Sequence, residues 1–104
     1  MQSTQATGDD VAHHLHTLVL RVRYLASPKP YLDLKAPLTE TLGTLKPVVL
    51  NHFGLAEGTV DGGHKEYALC AHGVIQSNLN ETLASLAHGK HELELKLLEQ
   101  FIQG

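Results

Sequence analysis

The amino-acid sequence predicts an α+β domain: a mixed sheet packed on one main helix, plus a short second helix. Three observations carry that reading. Two alternating strand patterns, joined by a proline-containing turn, open the patterned part of the chain. A stretch with apolar residues at helical spacing follows, and the cleanest alternation in the chain comes last. The order is strand, strand, helix, strand, short element, strand. A hairpin, a crossing helix and later strands make one mixed sheet, with the first strand central and parallel to the last.

Residues 16–24 place Leu18, Leu20, Val22 and Tyr24 on one parity, opposite Thr17, Val19, Arg21 and Arg23. That is a half-buried strand with one apolar face. Pro28 and Pro30 offer no N–H to a ladder and stop it. Residues 31–35 alternate again, with Leu32 and Leu34 as the apolar positions, so the two strands form a hairpin. In residues 39–55, Leu42, Leu45, Val49 and His52 or Phe53 recur at helical spacing. Thr39 or Thr41 suits the N-cap, Glu40 suits the dipole of the first turn, and Gly54 before Leu55 reads as a Schellman ending. Pro47 would cost a hydrogen bond inside this helix. A kinked helix, or one starting near Thr44, is therefore expected.

Residues 56–64 carry Gly58, Gly62 and Gly63 and read as a flexible loop. Residues 65–71 form a third strand through Tyr67, Leu69 and Ala71, and His72-Gly73 turns it. Residues 74–80 fit a short, irregular strand. Residues 81–88 fit one or two helical turns, with Leu83 and Leu86 inward. Residues 91–97 alternate through Leu93, Leu95 and Leu97. From Leu98 the period is lost, and the chain is expected to leave the sheet. The organisation is thus a mobile leader over residues 1–14, a domain over 15–98 and an extended tail over 99–104. The leader is Gln, Ser, Thr, Gly and Asp with little to bury, and cannot offset its ordering entropy.

Composition narrows the function. Of 104 residues, 42% are hydrophobic and 5% aromatic, with no Trp, so the core is Leu, Val and Ala. A net charge of -3 argues against nucleic acid, whose phosphates require a basic surface. One cysteine, Cys70, excludes an intramolecular disulfide and reads as a small strand residue. The first residues lack a basic n-region and an apolar h-region, and no apolar run approaches the roughly 20 residues of a membrane span. A cytoplasmic location is expected.

The histidines at 13, 14, 16, 52, 64, 72, 88 and 91 invite a metal reading, but metal sites need convergent ligands with support behind them. Solvated surface residues are the expectation, with no metal and no cofactor bound. No Ser-His-Asp set or carboxylate pair stands out, so no enzyme is expected. Gly104 is the one chemical candidate. Without a side chain, its carboxylate could enter a narrow active site in an extended or left-handed conformation.

Element order and local sequence together resemble ubiquitin and its relatives, from about residue 17 to 104. Leu18-Val-Leu-Arg-Val22 is similar to the family's opening strand, and Thr39-Glu-Thr-Leu-Gly-Thr-Leu-Lys46 to its Thr-capped helix start. Tyr67-Ala-Leu-Cys-Ala-His-Gly73 resembles the third strand and its glycine turn. Asn80-Glu-Thr-Leu-Ala-Ser-Leu86 resembles the short helix. His91-Glu-Leu-Glu-Leu-Lys-Leu97 resembles the last strand, leading to a terminal glycine.

With the helix end Lys46-Pro-Val-Val-Leu-Asn-His-Phe-Gly-Leu55, the chain is most like bacterial ubiquitin-like proteins of antiphage conjugation operons, the Bil/Bub type. The resemblance implies a ubiquitin-like β-grasp and a protein modifier. Its Gly104 carboxylate would be adenylated with ATP, passed between cysteines as a thioester and joined to a target amine. It further implies an activating enzyme, a conjugating enzyme and a deconjugating protease as partners, with ATP bound by the activating enzyme.

Two departures stand out. A single Gly104 after Gln103 replaces the family's two glycines, and the tail lacks Arg. Leu98, Phe101, Ile102 and Gln103 are then the residues an activating enzyme would read, through an apolar channel. The family's apolar recognition patch is not reproduced either. Ala68, Cys70 and His72 on one strand, with Glu94, Lys96 and Leu98 on the other, would face outward. Cys70, His72 and Lys96 mark the expected partner face. A non-conjugated β-grasp assembly module is the alternative function, and a sulfur carrier ending as a thiocarboxylate is a third.

Overall fold

The computed structural model describes residues 17–60 and 62–103. The expected leader, His13, His14 and His16 within or beside it, and Gly104 lie outside the described residues. Strands β1 (Thr17–Tyr24) and β2 (Tyr31–Pro37) form the hairpin, and helix α1 (Leu42–Phe53) crosses the sheet. Then come β3 (Gly58–Val60), β4 (Gly63–Ala71), β5 (Val74–Ile75), helix α2 (Leu83–Ala87) and β6 (Glu92–Gln103). The sheet order is β2-β1-β6-β4-β3, with β5 paired to β4. β1 runs parallel to β6, and β6 antiparallel to β4, so the last strand is central.

Alternation places the core. Leu18, Leu20 and Val22 of β1, Leu69 and Ala71 of β4, and Leu93, Leu95 and Leu97 of β6 all project to one face. Leu42, Leu45, Val49 and Leu50 of α1 and Leu83 and Leu86 of α2 close over them. The resulting cluster is aliphatic, and no polar or charged side chain is buried among the described residues.

β2 departs from the sequence reading. Its two apolar positions, Leu32 and Leu34, are 49% and 65% exposed, while Ala36 is buried. The pairing is Leu18↔Ala36 on one side of an irregularity and Leu20↔Asp33 on the other. One extra residue in β2 switches the face of every side chain beyond it.

Helix α1 starts at Leu42 rather than near Thr44, with Thr41 as the N-cap accepting from the Thr44 N–H at 3.2 Å. Glu40 consequently precedes the cap instead of sitting in the first turn. Pro47 is inside the helix, on its exposed side. The carbonyl left without its helical N–H partner one turn earlier belongs to Gly43, also an exposed residue, which lowers the cost of the missing bond.

The early start has a tertiary cause. Leu42 and Gly43 donate to the carbonyls of Glu81 and Leu79, while Leu83 and Ala84 of α2 donate to those of Glu40 and Leu38. Each helix thereby satisfies first-turn N–H groups with the loop before the other helix. At the far end, Gly54 adopts φ 71°, and the Leu55 N–H returns to the Leu50 carbonyl at 2.8 Å. This is the expected Schellman closure.

Residues 56–64 are not a loop throughout. Gly58–Val60 and the start of β4 form a hairpin arm, registered Gly58↔Lys65 to Val60↔Gly63.

Candidate functional site

The last strand carries the candidate chemistry, and its two edges differ. Against β1 it is registered from Val19↔Glu92 to Tyr24↔Leu97. There β1 ends, and the Ser27 N–H closes a turn on the Tyr24 carbonyl at 2.9 Å. Against β4 the register continues without a break from Ala71↔Leu95 through Ala68↔Leu98 to Gly63↔Gln103. Sequence reasoning sends the chain out of the sheet from Leu98; the structure keeps residues 98–103 in it. The reason is the glycine-rich arm, which extends β4 back to Gly63 and provides a partner that the local pattern of the tail does not reveal.

Backbone parity follows from two hydrogen bonds. The Val19 N–H donates to the His91 carbonyl at 2.8 Å, and the Tyr67 N–H points away from β6, to Glu57 Oε2, also at 2.8 Å. In an alternating ladder, Leu98, Gln100 and Ile102 therefore face β4, whereas Glu99 and Phe101 turn their N–H and C=O toward the side β1 has vacated. Leu98, Phe101 and Ile102 expose apolar surface along this stretch.

Side chains add three contacts that sequence reasoning missed. Glu99 lies on the helix side of the sheet, where its Oε1 accepts from Tyr67 Oη at 3.3 Å and Tyr24 Oη at 3.5 Å. Both bonds are long, so each is weak by itself. The two tyrosines meet edge-on at 6.2 Å between ring centroids, and Tyr24 packs on Phe53 at 5.4 Å. Burial first, then the neighbouring Tyr24 and Glu99, pushes the Tyr67 hydroxyl up to about 12, so it remains a donor at every physiological pH. The third contact is at Gly63. A Cβ there would stand 2.5 Å from the Ile102 carbonyl oxygen and 2.6 Å from Phe101 Cζ. The Phe101 ring thus occupies the room a side chain at 63 would need. A signal for the Tyr–Glu contacts was visible in parity, since Tyr24 and Tyr67 are inward on their strands and the inward parity of Leu93, Leu95 and Leu97 continues to position 99; the role of Gly63 had none.

Glu57 fixes the arm that holds this tail. Its Oε2 receives the Lys46 ammonium of α1 at 2.8 Å as well as the Tyr67 N–H. β3 pairs no further along β4 than Lys65, so without Glu57 the Tyr67 N–H would lack that partner. Burial pushes the Glu57 carboxyl up. The hydrogen bonds from Lys46 and Tyr67, with the charges of Lys46 and His64, outweigh it and leave the pKa lowered.

The expected partner face is on the opposite side of the sheet. Cys70, His72 and Lys96 border one depression of about 500 Å³, together with Gly73, Glu94 and Leu98. Cys70 is only 8% exposed although it points away from the core, whereas His72 and Lys96 are open. Arg23 and Arg21 hold Glu94 at 3.0 and 3.7 Å, which makes the rim charged. Ile75, registered with Cys70, adds apolar surface that sequence reasoning did not assign to this face. His72 and Gly73 both have positive φ, 54° and 80°, as a two-residue hairpin turn requires. His72 Nε2 donates to the Leu86 carbonyl at 2.8 Å, and its ring lies 5.1 Å from that of His88. His72 is thus turned toward α2 rather than outward as the sequence predicts, because its left-handed turn conformation breaks the strand's alternation. Among the described residues, no three His, Cys, Asp or Glu side chains converge on a metal position. No described helix is long and apolar enough to cross a membrane.

No protein-family model matches the sequence, and no curated protein sequence does. Solved structures do match. A Caldiarchaeum subterraneum ubiquitin superposes with a TM-score of 0.60 at 17% identity, over 85% of this chain and 99% of its own. A protein described as a molecular mimic of SUMO that promotes DNA repair gives 0.58 at 16% identity, over 84% and 98%. The fold is the ubiquitin-like β-grasp. In this β-grasp the main helix, the short second helix and the central parallel pair β1–β6 stand as the sequence predicts. The tail held in the sheet and the hairpin arm β3–β4 are what it adds.

Proposed function

We propose that this chain is a ubiquitin-like protein modifier, joined through the Gly104 carboxylate to amines of a target protein. The observation that supports this most is the course of β6. It leaves the core at Leu97, passes the end of β1 and carries exposed Leu98, Phe101 and Ile102 toward the terminal glycine. A carboxylate is a poor acyl donor, so the chemistry starts on a partner. An activating enzyme binds ATP, joins the Gly104 carboxylate to AMP and releases pyrophosphate. A cysteine thiolate of that enzyme displaces AMP, giving a thioester. A conjugating enzyme takes over the acyl group, and the target amine displaces its thiol to form the amide. A protease reverses that bond, or exposes Gly104 where further residues follow it. Leu98, Phe101, Ile102 and Gln103 are the tail residues read by the activating enzyme, and the Cys70–His72–Lys96 face receives other partners. On this reading the protein works in the cytoplasm, in defence against phage, and the sequence resemblance to modifiers of bacterial antiphage conjugation operons is what supports it.

The test mixes the protein with ATP and the activating enzyme encoded beside it. A thioester adduct that thiol reductants cleave is expected by gel and intact mass. Removing Gly104 abolishes it at unchanged fold stability. If the wild type forms no adduct, or the truncated chain forms it equally well, the modifier reading fails. The β6–β4 pairing through Gln103 favours one second reading, a non-conjugated assembly module whose tail is a structural strand.

A further inference from the structure

We infer that the tail is latched into the sheet in the resting protein, and that it must peel off β4 before Gly104 can be activated. The inference rests on the modifier reading for its consequence, but the latch itself is a property of this chain alone. Three independent contacts form it. Backbone pairing runs from Ala68↔Leu98 to Gly63↔Gln103. The Tyr24 and Tyr67 hydroxyls hold the Glu99 carboxylate from the two neighbouring strands. The Phe101 ring lies where only a glycine at position 63 leaves room.

Reach explains why the latch matters. With the register intact, Gly104 is the one residue of this sequence beyond the last pair, about 3.3 Å of extended chain. Releasing residues 98–104 provides roughly 23 Å at that rise per residue. A carboxylate that visits an adenylating centre and then a thiolate needs the longer lead. It also needs it unaccompanied, because a tail still paired to β4 carries the β3–β4 arm with it. The latch is weak enough to open. Beyond Tyr24 the strand has one paired edge instead of two, and its Tyr–Glu bonds are long. Only the released fraction is competent, so the apparent affinity for the enzyme falls by that fraction.

Amide exchange by NMR on the full chain tests the latch without any enzyme. The N–H groups of Leu98, Gln100 and Ile102, which face β4, should exchange about tenfold or more slowly than those of Glu99 and Phe101. Gly63→Val, through its clash with Phe101 and the Ile102 carbonyl, should erase the alternation, and Glu99→Ala should reduce it. Uniformly fast exchange over residues 98–102 in the wild type overturns the latch. The second readout is the rate of ATP-dependent thioester formation at low enzyme concentration. Gly63→Val should raise it by the same factor by which protection at Gln100 and Ile102 falls. Lost protection with an unchanged or lower rate overturns the requirement for release. Absence of adduct from the wild type, with the exchange alternation present, rejects the modifier reading and leaves the latch standing.

Discussion

From Glu92 to Leu97, β6 is paired with β1, and from Leu95 with β4 as well, with its inward leucines under the helices; from Leu98 to Gln103 it has β4 on one side and no described strand on the other. In the first half the alternation of Leu93, Leu95 and Leu97 sets the register, because a slip by one residue would expose all three. In the second half, backbone pairing, a Tyr–Glu contact and one aromatic ring replace that burial. One strand therefore joins a segment buried with the core to a segment that, on the inferred release, opens alone.

The comparison is most directly broken at Leu95, which is fully buried. Leu95→Ala should cost about 2–5 kcal/mol in chemical denaturation, as loss of a core leucine does. Its neighbour Glu94 makes exposed ion pairs with Arg23 and Arg21, so Glu94→Ala should cost less than about 1 kcal/mol. Equal midpoints for the two variants would mean that the register of the first half is wrong.

Glu57 sharpens the comparison, since it anchors the arm on which the second half rests. Glu57→Gln should cost about 1.5 kcal/mol, the low end of the range for a hydrogen bond to a charged group, because the pair is partly exposed. The folded protein holds this carboxyl below its ordinary value of 4.5, so its contribution to folding is full above that pH. The contribution is lost as pH falls through the lower, folded value. The stability gap between wild type and Glu57→Gln should accordingly be full at pH 7 and shrink below about pH 4. A gap that is constant with pH would remove the Lys46–Glu57 pair from the account.

Thr41→Ala, which deletes the cap of α1, should cost about 1 kcal/mol, with the tail's exchange pattern unchanged. A change at Gln100 or Ile102 in that variant would show that the two regions are coupled through the helix. The smallest expected effect is Glu99→Ala, at most about 0.5 kcal/mol globally, because its partners hold it at long range. Its signature is local: faster exchange in residues 98–102 with an unchanged denaturation midpoint. A midpoint that falls with the exchange rates would make the tail part of the cooperative core.

Much of the β-grasp is determined by local chemistry. Apolar parity in β1, β4 and the first half of β6, the threonine before each helix and the glycine after α1 are all visible in the chain, and they place Leu20, Leu45, Leu69 and Leu95 in one core. The face of β2 was not legible, because a single extra residue opposite β1 reverses it without changing the pattern of Leu32 and Leu34. Thr41 could be named as a cap of α1, but the choice of that start over one near Thr44 was not legible, since the first N–H groups are satisfied by carbonyls almost 40 residues away. For the candidate site, the exposed apolar residues of the tail could be named from sequence, but their setting could not. Residues 98–103 lose the strand period, and residues 58–64 are rich in glycine, so each segment alone reads as unstructured. Together they pair, because a strand's hydrogen bonds are made with whatever backbone the fold brings alongside, and that partner is chosen by tertiary structure.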